Sequence, residues 1–183
     1  PDPTRILELI HSEKIETAFM VPALIQFLLN HPNCGNTDFS SLRQIVYGAS
    51  PISEDTLLKA KDVMGCEFWQ VYGLTETSGI GTTLSPEFHD PEKGKLRSCG
   101  EAYTGVDIRI VDTDGTECKQ GDVGEIQIKS DVIMKGYWKR DEANAESIVD
   151  EWFFTGDAGF FDEDGFLFIH DRVKDMIISG GEN

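Results

Sequence analysis

The spacing of apolar residues predicts alternating helices and strands in the first part of the chain. Apolar residues at helical spacing predict a helix from Thr4 to His11, with Thr4 as its N-cap, and a second helix from Ala23 to Leu29. Short apolar runs predict strands at Glu16 to Val21 and at Leu42 to Tyr47. Alternating strands and helices are typical of a parallel α/β sheet.

A strand–turn–helix–strand unit follows. Gly48-Ala49-Ser50-Pro51 is the turn after the strand, and Ser53 is the expected N-cap of a helix that Gly65 ends. The next apolar run, Cys66 to Trp69, predicts a second strand that leads into Tyr72 to Thr77. Parallel strands joined by a helix end at the same edge of the sheet, so we expect the two turns to line a cleft.

The pattern changes from about Ser85. Ser85 to Arg97 resembles a loop, and strict alternation then predicts strands at Val106 to Val111 and Gly124 to Lys129. A helix is expected from Asp141 to Ile148, with Asp141 as its cap. Short strands at this spacing indicate a small barrel or sandwich.

The predicted fold class is therefore α/β plus β, a parallel α/β subdomain followed by a small distorted β-barrel. The expected divisions are residues 1–90 for part of the α/β subdomain, 91–170 for the barrel, and 171–183 for a hinge and the start of a C-terminal domain.

Two Asp-x-Asp-Gly segments, Asp112 to Gly115 and Asp162 to Gly165, have the acidic residues of a calcium loop. Each lacks the further acidic ligands and the closing glutamate of an EF-hand. Each also stands where a hairpin requires a turn, so we interpret both as turns.

Composition and charge exclude several classes of protein. The chain has 183 residues, 39% of them hydrophobic, and 33 acidic against 16 basic residues give a net charge of −17. This acidic balance argues against nucleic acid or an anionic membrane as the main partner, because both would require a basic face on the protein. No apolar run reaches membrane-spanning length. The four cysteines form no Cys-x-x-Cys pair, so reduced thiols in a cytoplasmic protein are expected.

Tyr72, Thr75 and Glu76 carry the first candidate chemistry. An aromatic ring suits a nucleobase, a hydroxyl suits a phosphate oxygen, and a carboxylate suits Mg²⁺. A polar loop after a strand is an equally good interpretation of this short stretch on its own.

Thr155-Gly156-Asp157 lies between two aromatic-rich runs that are expected to be strands. A carboxylate at this position suits the two hydroxyls of a ribose, and Arg172 is close enough in sequence to reach the same sugar or a phosphate. The alternative is an Asp157–Arg172 ion pair that only closes the barrel, and spacing does not separate the two.

Taken together, these motifs resemble the adenylate-forming acyl-CoA synthetases, which include 4-coumarate–CoA ligases, luciferases and peptide-synthetase adenylation domains. The matching motifs, in the family's order, are Gly48 to Pro51, Tyr72 to Glu76, Gly124 to Ile126 with Lys135 to Trp138, Trp152 to Asp157, and Asp171 to Asp175 with Ser179 to Asn183.

The resemblance implies an activity. In such enzymes a carboxylic acid attacks the α-phosphate of Mg·ATP, an acyl-adenylate forms and pyrophosphate leaves, and the thiol of coenzyme A then takes the acyl group. ATP or AMP, Mg²⁺ and coenzyme A are thus the expected cofactors and co-substrates, with a fatty acid favoured as the acid.

The resemblance also implies roles for individual residues. Gly48, Ala49, Ser50 and Pro51 would line the adenine and acyl pocket, and Tyr72, followed by Gly73, would stack on adenine.

Thr75 would bond the α-phosphate and Glu76 would hold Mg²⁺, which makes these two the expected catalytic residues. Asp157 would bind the ribose hydroxyls, with Arg172 beside it.

Lys174 falls at the position on which the domains of the family hinge. Gly180 and Gly181 would open the thiol's route to the adenylate.

The family's phosphate-binding loop is expected before Pro1, and its lysine-bearing C-terminal domain after Asn183. The chain is therefore expected to be a fragment that does not complete the reaction alone. Two alternatives stay open: an adenylation domain that loads a carrier protein, and a non-catalytic β-rich binding module.

Overall fold

The computed structural model describes residues 2–172, with side chains described as far as residue 170. The chain divides into two compact units. Of the described residues, the first unit contains those up to Val71 together with Leu84–Arg97, and the second contains Tyr72–Thr83 and those from Ser98 onward. The subdomain boundaries expected at residues 90 and 170 stay predictions.

The first unit is built on three parallel strands. Its elements are α1 (Pro3–Ser12), β1 (Thr17–Met20), α2 (Pro22–Leu29), β2 (Gln44–Gly48), α3 (Glu54–Met64) and β3 (Glu67–Tyr72), whose last residue belongs to the second unit. β2 lies between β1 and β3, with Ile45 opposite Phe68 and Tyr47 opposite Gln70. Ile45, Tyr47 and Phe68 are fully buried, because this face of the sheet forms one core with the helices.

Local capping residues set the ends of these helices. Ser53 caps α3 by accepting a hydrogen bond from the Thr56 amide at 3.2 Å, and Gly65 ends the helix in the left-handed conformation, as the sequence predicts. The N-cap predicted for α1 was wrong: Asp2, rather than Thr4, accepts from the Thr4 amide at 3.0 Å. Pro3 occupies the first helical turn, where its missing N–H costs nothing.

The second unit is mostly antiparallel. Its elements are β4 (Thr82–Leu84, whose last residue belongs to the first unit), β5 (Glu101–Ala102), β6 (Val106–Val111), β7 (Gly124–Ser130), α4 (Asp141–Ser147), β8 (Ile148–Val149), β9 (Trp152–Phe161) and β10 (Leu167–Arg172). The strands follow the order β10-β9-β7-β6, β8 pairs with β9, and β4 pairs with β5. Ile126, Ile128 and Leu167 are fully buried at the centre of its core.

Two expectations for this unit need correction. Thr155–Asp157 does not separate two strands, because β9 runs through it without a break. The cap of α4 is Arg140, which makes no side-chain capping bond, and Asp141 is the first helical residue, where its negative charge suits the helix N-terminus.

Both Asp-x-Asp-Gly segments are turns. Asp112 Oδ1 accepts from the amides of Asp114 and Thr116, each at 2.9 Å, and Asp162 Oδ1 accepts from Asp164 and Phe166 at 3.0 and 2.9 Å. The predicted fold class is confirmed, since a parallel α/β unit is followed by a curled antiparallel sheet. Within the described residues, no helix is long and apolar enough to cross a membrane.

Candidate functional site

The turn after β2 has a constrained backbone. Gly48 is buried and pairs with Val71, and a Cβ atom at Gly48 would collide with the Val71 carbonyl oxygen. Ala49 follows with φ 69°, a left-handed conformation that costs about 1–2 kcal/mol for a residue other than glycine. Ser50 and Pro51 are exposed. Strained backbone conformations are concentrated at functional sites. The strained turn at Ala49 follows β2, the central strand of the first unit, so it is a candidate functional turn.

The segment after β3 is a tight turn. The amide of Gly79 donates to the Leu74 carbonyl at 2.8 Å, and a Cβ atom at Gly73 would collide with the backbone of Gly79. Thr77 is fully buried, with its hydroxyl 3.0 Å from the Leu74 amide and 3.1 Å from the Leu74 carbonyl. Its hydroxyl therefore holds the turn and is not presented to a ligand, while Thr75 is exposed at the tip.

Glu76 is half-buried in the same turn and has a specific partner. The Tyr137 hydroxyl donates to Glu76 Oε1 at 2.8 Å. The Glu76 carbonyl accepts from the Met134 amide at 2.7 Å. Burial and the Glu76 carboxylate raise the pKa of Tyr137, so its hydroxyl stays a donor at neutral pH.

Asp157 lies in a bulge of β9. Glu125 pairs with Ala158 and Gln127 with Phe154, so β9 has more residues than β7 over this stretch. Gly156, at φ 71°, supplies the left-handed residue that the bulge requires. The bulge redirects the strand around Asp157, which is 8% exposed.

Tyr72 fixes the Asp157 carboxylate, and Thr155 fixes the Asp157 backbone amide. The Tyr72 hydroxyl donates to Asp157 Oδ2 at 2.8 Å. The Asp157 amide donates to Thr155 Oγ1 at 3.1 Å, and that hydroxyl donates to the Ile126 carbonyl at 2.7 Å. Burial, followed by the neighbouring Asp157 charge, raises the pKa of Tyr72 far above its usual range.

The backbone register places Arg172 directly opposite Asp157 on β10. Lys174, Gly180 and Gly181 lie outside the described residues. The second unit thus brings Tyr72 and Asp157 into contact and gives Glu76 a partner, whereas Gly48 to Pro51 belong to the first unit.

Three residues of this site had no assigned role from the sequence: Tyr137, Thr155 and Glu125, whose Oε1 accepts from the Gly156 amide at 3.1 Å. All three residues lie in recognised motifs, and those motifs gave no role for their side chains. The contacts of Thr155 and Glu125 depend on the pairing of β7 with β9.

The donor atoms suit a metal-bound nucleotide. Among the described residues no group of three or more His, Cys, Asp and Glu side chains could hold a metal ion. Mg²⁺ does not need such a group, because it is commonly bound by one or two carboxylates together with phosphate oxygens and water. The half-buried carboxylate of Glu76 supplies one such ligand, so the residues present fit a cation that arrives with a nucleotide.

The two units together have the architecture of an α/β domain followed by a curled β domain, with a strained strand-end turn in the first and a buried carboxylate on a bulge in the second. The sequence model of the AMP-binding enzymes matches residues 1–138. This chain belongs to the AMP-binding enzyme family, and the resemblance noted from its motifs is confirmed.

Individual relatives agree with this assignment. The chain is 44% identical over 177 residues to a fatty acid–[acyl-carrier-protein] ligase, ScoC, of Streptomyces coeruleorubidus, covering 97% of this chain and 34% of that protein. It is 37% identical over 182 residues to the medium/long-chain-fatty-acid–CoA ligase FadD8 of Mycobacterium tuberculosis, covering 100% and 32% respectively. The chain thus spans about a third of the length of these relatives.

A solved structure has the same fold. The O-succinylbenzoate coenzyme A synthetase MenE of Bacillus subtilis, in complex with ATP and magnesium ion, matches with a TM-score of 0.87 and 35% identity, covering 100% of this chain and 37% of MenE. The predicted acyl-CoA synthetase-like fold is therefore confirmed.

Proposed function

We propose that this chain forms part of an AMP-forming acid–thiol ligase. A carboxylate oxygen of the acid attacks the α-phosphorus of ATP, the bond from that phosphorus to the β-phosphate bridge breaks, and pyrophosphate leaves. The thiol of coenzyme A, after losing its proton, then attacks the acyl carbon and AMP leaves. The observation that carries the proposal is the buried Asp157 carboxylate, held by Tyr72 on a strand bulge within an AMP-binding family fold.

Asp157 and Tyr72 are proposed to hold the nucleoside. A buried carboxylate accepts hydrogen bonds from two ribose hydroxyls, and each bond is strengthened by its charge. Tyr72 is proposed to contribute its ring to adenine, while its hydroxyl keeps the carboxylate in place. Arg172, opposite Asp157 in the strand register, is proposed to act on the same sugar or a phosphate.

Thr75, Glu76 and Gly73 are proposed to act on the phosphates. The exposed hydroxyl of Thr75 is available to donate to an α-phosphate oxygen. Glu76 is proposed to hold Mg²⁺, which, when bound, neutralises the charge of the leaving pyrophosphate. Gly73 permits the close approach of the backbone in the turn that carries the Thr75 and Glu76 side chains.

Further roles are proposed for residues elsewhere in the chain. Gly48, Ala49, Ser50 and Pro51 are proposed to line the adenine and acyl pocket, which the strained backbone at Ala49 supports. Lys174 is proposed as the domain hinge. Gly180 and Gly181 are proposed as the opening for the thiol.

A fatty acid is the proposed acid, because the relatives ScoC and FadD8 are fatty acid ligases. Coenzyme A is the proposed acceptor. An acyl-carrier protein is the second candidate acceptor, and the observation that favours it is the 44% identity to ScoC, an acyl-carrier-protein ligase.

The test is calorimetric titration of the full-length protein that carries this chain with a non-hydrolysable acyl-adenylate. Asp157→Asn keeps the shape of the side chain and removes its charge, so adenylate affinity is expected to fall roughly 10- to 100-fold, or about 1.4–3 kcal/mol. Asp114→Asn, which makes the same change at an exposed turn aspartate, is the matched control and is expected to bind like the wild type.

Circular dichroism of each variant shows whether the fold is retained. A wild-type protein that is folded but does not bind the adenylate contradicts the proposed enzyme and favours a non-catalytic binding module. Turnover with coenzyme A compared with an acyl-carrier protein distinguishes the two candidate acceptors.

A further inference from the structure

The segment between β7 and α4 is attached to the turn that carries Glu76. The Met134 amide donates to the Glu76 carbonyl at 2.7 Å. The Ser78 hydroxyl donates to the Val132 carbonyl at 2.9 Å. These two bonds hold the segment against the turn, one at the Glu76 backbone and one two residues later at Ser78, and neither uses the Glu76 side chain.

Tyr137 adds a contact of a different kind, from its own side chain to the Glu76 carboxylate. Its hydroxyl donates to Oε1 at 2.8 Å. Within the described residues, no hydrogen bond to Oε2 of Glu76 is found. A carboxylate with one oxygen held by a phenol has its second oxygen oriented by that bond.

Tyr137 is itself held by Asn144. The Tyr137 amide donates to Asn144 Oδ1 at 2.6 Å, and Asn144 Nδ2 donates to the Tyr137 carbonyl at 3.1 Å. Gly136, at φ 139°, leaves space for the Asn144 side chain, since a Cβ atom at Gly136 would lie 3.0 Å from it. Asn144 of α4 therefore fixes the backbone of Tyr137, independently of the hydrogen bond between Tyr137 and Glu76.

The bond between Tyr137 and Glu76 contributes little to holding the segment in place. Tyr137 is 36% exposed, and a hydrogen bond in such a position adds on the order of 1 kcal/mol. The Met134–Glu76 backbone bond and the Ser78–Val132 bond already attach the segment. What the phenol adds is a fixed direction for the carboxylate.

We propose that Tyr137 is a positioning residue for Glu76: it fixes the glutamate so that Oε2 faces the divalent cation carried by the nucleotide, and Asn144 places Tyr137 for this task. This inference rests on the proposed function. Partners that orient a metal ligand in this way usually change metal affinity by about 10–100-fold when they are removed.

The experiment compares Tyr137→Phe with Tyr103→Phe in the full-length protein that carries this chain. Tyr103 is an exposed tyrosine of the same unit, at 51%, and is not one of the residues proposed for the site. Mn²⁺ replaces Mg²⁺, since it prefers the same oxygen ligands, and its binding in the presence of ATP is followed by electron paramagnetic resonance. Tyr137→Phe is expected to weaken Mn²⁺ binding roughly tenfold, while ATP binding without metal stays within about twofold. Tyr103→Phe is expected to change neither.

Asn144→Ala provides a second variant that leaves the phenol in place, and a smaller loss of Mn²⁺ affinity is expected.

Unchanged Mn²⁺ affinity in a folded Tyr137→Phe protein would overturn the inference and leave the proposed function standing. Equal losses of metal-free and metal-dependent ATP binding would also overturn it, because they indicate a structural role. A folded wild type that binds neither ATP nor Mn²⁺·ATP would overturn the proposed function and the inference together.

Discussion

The hydroxyl of Tyr72 donates a 2.8 Å hydrogen bond to Oδ2 of Asp157, a residue 85 positions later in the chain. From the sequence, the family resemblance implies a contact of Tyr72 with adenine and a separate contact of Asp157 with ribose. The direct hydrogen bond couples the two contacts. The tyrosine whose ring is proposed to cover the base also fixes, through its hydroxyl, the carboxylate that is proposed to hold the sugar. Because both side chains are largely buried, the bond is protected from competition with water.

Tyr72→Phe keeps the ring and removes the hydroxyl. We expect a loss of about 1–3 kcal/mol in the free energy of unfolding, because the buried Asp157 carboxylate loses a donor. Adenylate affinity is expected to fall roughly tenfold, equivalent to about 1.4 kcal/mol. Urea unfolding and calorimetry measure the two effects. Adenylate binding equal to that of the wild type would show that the hydroxyl does not orient Asp157.

Gly73→Ala tests the close approach in the turn that carries Thr75 and Glu76. The added methyl group would collide with the backbone of Gly79, and relief requires the turn to open. We expect a loss of about 2–3 kcal/mol in the free energy of unfolding, together with weaker ATP binding. Gly35→Ala is the matched control, since a Cβ at Gly35 meets nothing within 4 Å. Equal stability of the two variants would contradict the proposed constraint.

Much of the fold could be predicted because its signals are local. Ser53 and Gly65 mark the ends of α3 through capping chemistry that depends on a few neighbouring residues. The alternation from Val106 to Val111 gives β6 with the predicted bounds. Both Asp-x-Asp-Gly turns are made by aspartate oxygens that bond their own backbone a few residues on.

The contacts of the candidate site could not be predicted in the same way. Thr155-Gly156-Asp157 has the composition of a turn, and only its pairing with β7 shows that it is a bulge within a strand. The bonds from Tyr72 to Asp157 and from Tyr137 to Glu76 cross 85 and 61 positions, and no local pattern records such a distance. The family motifs named these segments without showing which side chains meet.

His89 is another residue whose environment the sequence did not reveal, since its segment was expected to be a loop. The side chain is fully buried in the first unit, with Nδ1 2.9 Å from the Ser85 carbonyl and Nε2 3.0 Å from the Tyr47 hydroxyl. A carbonyl only accepts, so Nδ1 carries the proton, and Nε2 of the neutral ring faces the Tyr47 hydroxyl without a proton of its own. Burial, more than the nearby Lys61 charge, lowers the pKa of His89 from 6.5 to about 4.

This lowered pKa predicts acid sensitivity. Below pH 6.5 the unfolded chain takes up a proton at His89 that the folded protein excludes down to about pH 4, so stability falls as the pH falls through that window. Between pH 7.5 and pH 5 the contribution of His89 is about 2 kcal/mol. Urea unfolding at the two pH values measures it. His89→Gln is expected to reduce the difference, and His170→Gln, at an exposed histidine, is expected to leave it intact. The same pH dependence in His89→Gln as in the wild type would exclude His89 as its source.

Glu125 supports the bulge that presents Asp157. Its Oε1 accepts from the Gly156 amide at 3.1 Å, while burial, followed in effect by the Asp157 charge, raises the pKa of the Glu125 carboxyl. The negative charge of Glu125 therefore opposes folding, whereas the hydrogen bond that Glu125 accepts from the Gly156 amide favours folding. The two effects can be separated because glutamine keeps the acceptor and removes the charge.

We expect Glu125→Gln to be as stable as the wild type or slightly more stable, and to bind the adenylate with similar affinity. Glu125→Ala leaves the Gly156 amide without its acceptor, so a loss of about 1–2 kcal/mol is expected, with weaker adenylate binding as the bulge loosens. Because the raised pKa disfavours the charged form in the folded state, the advantage of Glu125→Gln should be largest above the folded-state pKa and disappear as the pH falls below the ordinary value for glutamate. Urea unfolding across this range, with calorimetry at neutral pH, checks both variants. Equal losses in Glu125→Gln and Glu125→Ala would show that the negative charge, rather than the acceptor, holds the bulge.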